Sequence, residues 1–301
     1  MFRTRSGARG YAFALAPLSA AALWGGMYVV SKWTFAAIPP ITLGFLRVAL
    51  GALVLLAVTK SRGVHVQRGD YGRFVVLGGW VALTIVTQFV GTELTNASQG
   101  SLLTVLTPVF TVVLGVAVLD ERLTAKKIGG MALAVAGTLL VVAGQYRLAG
   151  LAAGNLAGLA ALVAASVAWA GYTVWGVPVV RRYSALTAAT YATIAATPML
   201  AVLSLAELAT AGVPAAVSVP SLPTLAAVVY LGVAATAAAW YLWYKGLEYV
   251  GAGTVAVFFF AQPVVGAALG AALLGEPVGP TFLVGGLVMA AGVVAVSTAR
   301  A

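Results

Sequence analysis

Ten apolar stretches, separated by short breaks of proline, glycine or charge, leave this chain few ways to fold. They cover residues 13–31, 41–59, 74–92, 97–119, 128–144, 155–177, 186–206, 222–244, 252–274 and 281–297. The breaks include Pro39-Pro40, Lys60 to Asp70, Asp120-Glu121-Arg122, Arg181-Arg182, Pro220 to Pro223 and Gly275-Glu276-Pro277. A bilayer core about 30 Å thick needs roughly 20 residues of α-helix. Strands that span a membrane are short and alternate in polarity, whereas these runs are long and continuous. The expectation is an all-α membrane protein of ten transmembrane helices. Only 8% of the residues are charged, against about 25% in a soluble domain. No soluble catalytic domain fits in the loops that remain, and an enzyme is not expected. The chain has no cysteine and one histidine, His65. That composition excludes disulfide scaffolds, thiol enzymes and Cys/His metal centres, so neither metal nor cofactor is expected.

The basic residues give the orientation. With the N-terminus in the cytoplasm, Arg3, Arg5, Arg9, Lys60, Arg62, Arg68, Arg73, Arg122, Lys126, Lys127, Arg181, Arg182, Lys245 and Arg300 fall on the cytoplasmic side. Only Lys32 and Arg147 fall on the other side, and Arg47 lies inside a span. This positive-inside bias predicts that both termini are cytoplasmic. It also explains the net charge of +10 without nucleic acid as a partner. Arg3, Arg5 and Arg9 before an apolar run also resemble a secretory signal. The run is longer than such signals, however, and it has a counterpart later in the chain.

That counterpart belongs to an internal repeat. Shifted by 155 residues, the 47 residues from Gly91 align without a gap on those from Gly246, with 13 identities. The pairs include Glu93/Glu248, Pro108/Pro263, Gly115/Gly270, Glu121/Glu276, Gly130/Gly285 and Gly137/Gly292. Trp24 and Trp169, each in a Trp-x-Gly step, correspond at an offset of 145. The unit is therefore five helices, over 1–145 and 146–301. Because five is odd, the second unit starts on the opposite side of the membrane, so the halves are expected to be inverted copies. Inverted repeats are characteristic of transporters with a midplane binding site. On this reading the Asp120–Thr124 and Gly275–Gly279 turns lie on opposite faces.

The motifs Pro108-Val109-x5-Gly115-x3-Leu119-x-Glu121 and Pro263-Val264-x5-Gly270-x3-Leu274-x-Glu276 resemble the signature of the drug/metabolite transporter superfamily, and its EamA-type branch above all. Trp24-Gly25 through Phe45-Leu46-Arg47 resembles the opening of that branch. The resemblance covers the whole chain. It implies two inverted five-helix repeats, export of amino acids or related metabolites, and alternating access through a central cavity, here in a bacterial inner membrane. The implied partners are a small-molecule substrate and the lipid bilayer, with the protein a monomer or homodimer. The alternatives are an antiporter of phosphorylated or nucleotide-linked solutes, which would need several deep basic residues, and a channel. An intramembrane enzyme acting on lipids would need a nucleophile or metal set that is absent.

Several residues are candidates for the cavity and its gates. Pro108 and Pro263 each remove a backbone hydrogen bond within a helix, freeing carbonyls near Thr104 and Phe259, and are expected to face the cavity, either as hinges or as static kinks that improve packing. Arg47 is costly within a span; with Lys32 and Glu93 it could form an outer charge cluster that binds a carboxylate or closes a gate. Trp24, Tyr28, Trp169 and Tyr172 come from helices 1 and 6 of the expected ten. Thr84, Gln88 and Tyr241 come from helices 3 and 8, Ser101, Thr104 and Thr107 from helix 4, and Phe259 and Gln262 from helix 9. Such aromatic and amide groups suit a zwitterionic or aromatic ligand, although Trp and Tyr also populate interfacial belts, where Trp240 also fits. Thr124 and Pro280 read as helix starts, with Glu121 and Glu276 at the positive ends of the helices that follow.

Overall fold

The computed structural model describes residues 12–60, 66–95, 100, 103, 106–145, 156–211, 221–265 and 279–299. Most of these residues are helical, and no strand occurs among them. The first apolar stretch forms α1 (Ala12–Trp24) and α2 (Met27–Thr34), divided by a turn at Gly25-Gly26. Next come α3 (Pro40–Lys60), α4 (Tyr71–Leu94), α5 (Leu106–Leu119) and α6 (Ala125–Gln145). The later part of the chain gives α7 (Leu156–Arg182), α8 (Ala185–Ala211) and α9 (Leu222–Val229). A π-helical segment, Tyr230–Ala238, joins α9 to α10 (Ala239–Leu247). α11 (Ala252–Ala256) tightens into a 3-10 segment, Val257–Phe260, before helix resumes over 261–265, and α12 (Pro280–Ser297) follows.

Six helical units are long and apolar enough to cross a membrane: Ala14–Thr34, Pro40–Lys60, Arg68–Leu94, Leu156–Arg182, Ala185–Thr210 and Leu222–Leu247. Leu106–Leu119, Ala252–Val265 and Leu283–Val296 are shorter apolar helices. Leu53 of α3, Leu205 of α8 and Leu287 of α12 are exposed on outer faces, an arrangement suited to lipid. In hydrocarbon each polar group must find an internal partner. Thr59, Thr84, Thr111, Thr173 and Thr190 meet this demand by donating to the carbonyl four residues back.

Carboxylates seat the starts of helices. Glu207, near the end of α8, accepts from the backbone amides of Ile41 (2.9 Å) and Thr42 (2.7 Å) at the start of α3. Glu248 accepts from Ala185 N at 2.7 Å, just where α8 begins. Thr124 caps α6 through Lys127 N, and Pro280 opens α12, as the sequence suggests. Glu121 requires a correction. Its carboxylate serves α11 rather than the adjacent α6, accepting from Ala252 N (2.6 Å) and Gly253 N (3.1 Å). The reason is local. Asp120 takes a left-handed conformation, φ 53°, which ends α5 and turns Glu121 N back to Gly115 O at 3.2 Å. A Cβ at Gly251 would lie 2.5 Å from Glu121 Oε1, and one at Gly115 would lie 3.3 Å from Oε2. The glycine and glutamate of the motif thus form one seat. Glu121→Ala removes both hydrogen bonds from the helix start and is expected to cost about 1–2 kcal/mol. Glu121→Gln, which keeps one acceptor, should cost less, and thermal melts of the detergent-solubilised protein check the order.

The packing partners follow a pattern. α4 packs on α7, and α10 on α1; α4 packs on α8, and the π segment on α3; α5 packs on α7, and the 3-10 segment on α1. α3 with α8, α5 with α11, and α6 with α12 complete the set. The main buried core lies where α1, α3, α4, α7, α8 and α10 meet.

Candidate functional site

Three breaks in helical regularity converge on one place. The turn at Gly25-Gly26 separates Trp24 from Met27 and Tyr28. The π segment leads into Trp240, and the 3-10 segment holds Phe259. Together with Arg47 of α3, Thr84, Ile85 and Gln88 of α4, Thr107 of α5, and Leu162, Ala165, Ser166 and Trp169 of α7, these residues line a central cavity of about 30 Å³. That is room for water rather than for a metabolite.

The walls are aromatic and tightly packed. The rings of Trp24 and Trp169 meet edge-on at 5.2 Å, and Phe259 lies 5.4 Å from Trp24. Trp240 lies 5.7 Å from Trp169. The Trp24 indole donates to Ala235 O at 2.8 Å, across to the π segment. Gln88 Nε2 donates to the Tyr28 hydroxyl at 2.9 Å, and Gln262 Nε2 to Trp24 O at 3.1 Å. Among the described residues, the Trp169 indole N–H and the Gln262 Oε1 are buried without a hydrogen-bond partner.

Arg47 is the one charged residue of the wall among the described residues, and it is 1% exposed. Nε donates to Thr236 Oγ1 at 2.9 Å, Nη2 to Ala235 O at 3.0 Å and Nη1 to Met27 Sδ at 3.1 Å. Its guanidinium carbon also sits 5.5 Å from the centre of the Phe89 ring and 5.9 Å from that of Trp240. No carboxylate among the described residues lies within ion-pair distance of it. A desolvated guanidinium held only by neutral acceptors keeps an unneutralised charge and spare N–H donors. π-helical segments occur frequently at functional sites, and here one presents both Ala235 O and Thr236 to the arginine.

The three-charge outer cluster expected from the sequence does not form. Lys32 and Glu93 pair with each other at 3.2 Å, and Lys32 also donates to Glu93 O at 2.7 Å. Both are partly exposed, whereas Arg47 turns inward. Tyr172, Tyr241 and Gln262 also stand apart from the cavity wall, Gln262 lying behind Trp24 on its backbone carbonyl. Tyr172 stacks on Tyr244 at 4.5 Å, behind Trp169, while Tyr241, one residue past Trp240, points elsewhere on α10 and is only half-buried. Ser101 and Thr104 lie outside the described residues, as do Glu276 and most of the Gly275–Gly279 turn. Pro108 and Pro263 are both buried, but neither is among the residues that line the cavity; Thr107 and Phe259, close to them in sequence, are. Pro263 follows the 3-10 segment, where the carbonyl of Phe259 is the one its missing N–H would have met. The reading from sequence missed Met27, Ile85, Leu162, Ala165 and Ser166, whose residue types carry no distinguishing chemistry.

The chain is similar to several known proteins. An uncharacterized transporter of Archaeoglobus fulgidus is 27% identical over 165 residues, covering 54% of this chain and 57% of its own length. The permease-like protein YdzE of Bacillus subtilis is 46% identical over 51 residues, 17% of this chain and 65% of its own length. The chain thus spans less than two-thirds of the length of each of these curated relatives. A solved crystal structure superposes with a TM-score of 0.72 at 22% identity, covering 95% of this chain and 96% of the other, and shows the shared fold alone. The family model of the EamA-like transporters matches twice, over residues 9–143 and 156–298, and the chain belongs to that family of multi-pass membrane transporters.

Proposed function

We propose that the protein exports amino acids, aromatic or small and neutral, across a bacterial cytoplasmic membrane by alternating access at the central cavity. Arg47 carries the reading: a buried guanidinium with no carboxylate partner among the described residues, facing a cavity walled by Trp24, Trp169, Trp240 and Phe259. The substrate carboxylate takes the guanidinium. The indoles and Phe259 take its side chain, and Gln88 and Tyr28 offer polar groups to its amine. A single deep arginine suits one carboxylate better than a phosphorylated solute. Because the cavity admits little more than water, Trp24 and Trp169 must separate for substrate to enter.

The ten-span, 5+5 inverted arrangement, with units 1–145 and 146–301 and both termini cytoplasmic, is part of this proposal. Two observations support it. Exchanging the first five apolar stretches for the second five maps the helix neighbours onto one another. The Lys32–Glu93 pair closes one end of the bundle, while Asp70 with Arg182 and the Glu121 seat close the other. These clusters, with Pro108 and Pro263 as hinges, are the gates of the proposed cycle.

The test is counterflow in liposomes of purified protein loaded with unlabelled Phe, Tyr, Trp or Thr. Labelled amino acid should accumulate transiently and with saturation. The decarboxylated amine of the same side chain should not compete. Equal competition by that amine, or flux of phosphorylated solutes with none of amino acids, overturns the assignment. A single-channel conductance would mark a channel instead.

A further inference from the structure

The lipid-facing surface is indented between the basic ends of α4 and α7. Gly72, Arg73 and Val76 of α4, with Trp175, Pro178 and Val179 of α7, line a groove of about 420 Å³. Apart from Arg73 its walls are apolar. Trp175 rests on Trp80 at 5.5 Å, and Trp80 lies over Gly171, where a Cβ would come within 2.7 Å of the indole. At Gly72 a Cβ would meet nothing within 4 Å, so the groove stays open at that corner. Arg73 stands at the mouth.

The charge there is unbalanced. Asp70 is buried, and its two oxygens are shared: Oδ1 lies 3.5 Å from Arg73 Nε, and Oδ2 lies 3.1 Å from Arg182 Nη2. The Tyr183 hydroxyl also donates to Oδ2, and Arg182 donates to Gln67 Oε1 at 2.6 Å. One carboxylate thus faces two half-exposed guanidiniums, with exposed Arg68 and Arg181 close by in sequence. An apolar trough that ends in uncompensated positive charge matches a molecule with a hydrocarbon tail and an anionic head.

We propose that this groove binds an anionic phospholipid. Its phosphate sits on Arg73 and Arg182, and one acyl chain lies along Val76, Trp175 and Val179. A free phosphate would satisfy the guanidiniums but leave the trough unfilled. α4 and α7 also carry Gln88 and Trp169, so a lipid wedged here bears on two helices of the central cavity.

Native mass spectrometry of the intact, detergent-purified protein tests this, with phosphatidylglycerol and phosphatidylcholine supplied at equal concentration. The wild type should retain phosphatidylglycerol preferentially. Arg73→Gln should lower that retention about fivefold. Val76→Trp, which fills the trough on a lipid-facing position and leaves every charge in place, should lower it as strongly. Thermal melts confirm that both variants fold. Equal retention of the two lipids overturns the proposal. So does full retention in Val76→Trp, which would leave only a diffuse attraction to the basic face, or a dimer mass in place of a lipid adduct.

Discussion

Arg47→Ala is expected to abolish amino-acid counterflow, lowering it 30-fold or more, which corresponds to about 2–5 kcal/mol for a buried charge that loses its partner. Lysine should not rescue it. The arginine uses three nitrogens at once, on Thr236 Oγ1, Ala235 O and Met27 Sδ, while its plane lies near Phe89 and Trp240. A lysine offers one point charge and no fork. Thr236→Val removes a single acceptor and leaves the guanidinium in place, so it should lower flux only a few-fold. Because Arg47 also ties α3 to the π segment, its loss could weaken the fold itself. Two readouts separate these roles. Melting and size-exclusion profiles report the fold, and substrate binding measured on the folded fraction reports the site. A folded Arg47→Ala protein that binds the amino acid with unchanged affinity would make the residue structural.

Much of this architecture was legible because hydropathy over about 20 residues is a strong and local signal. Trp24 and Trp169 are grouped by the sequence itself, since the repeat pairs them, and their rings meet at 5.2 Å. The departures from regular helix were harder to see. Gly25-Gly26 and Pro263 are visible punctuation, but nothing in the composition of Tyr230–Ala238 announces a π segment, whose carbonyl at Ala235 is held by Trp24 and Arg47 from far away in sequence. The partner of Glu121 is hidden in the sequence for a similar reason. A carboxylate before a helix start looks like its cap, whereas the turn at Asp120 delivers it to a helix 131 residues further on. Trp240 shows a third limit. The same indole suits a bilayer interface or a buried wall, and only the position of α10 against α1 and α8 decides between them.

Gly137 and Gly292 should be among the least replaceable residues of the chain, while Gly129 and Gly286 should tolerate alanine with a change of about 0.5 kcal/mol or less. A Cβ on Gly137 would come within 2.6 Å of Gly285 O and also strike the backbone of Met289. A Cβ on Gly292 would lie 2.9 Å from the Cα of Ala134 and strike Gly130 O. The obstacles are backbone, not the ends of flexible side chains, so α6 and α12 must move apart to admit even a methyl group. Alanine at either position should cost about 1–3 kcal/mol, and leucine should prevent the two helices from pairing. At Gly129 and Gly286 nothing lies within 4 Å of a built Cβ. The two sets of contacts are also copies of each other. Gly137 meets residues 285 and 289, and Gly292 meets residues 130 and 134, each number displaced by the same 155 residues that align the halves. Close backbone approach through small residues is how helices associate where lipid removes the hydrophobic incentive. A two-fold relation between repeats requires such an approach to occur twice. Melting temperatures of the four alanine variants decide the matter. If Gly137 and Gly292 prove as tolerant as their neighbours, α6 and α12 do not meet in this register, and the pairing of the halves loses its physical basis.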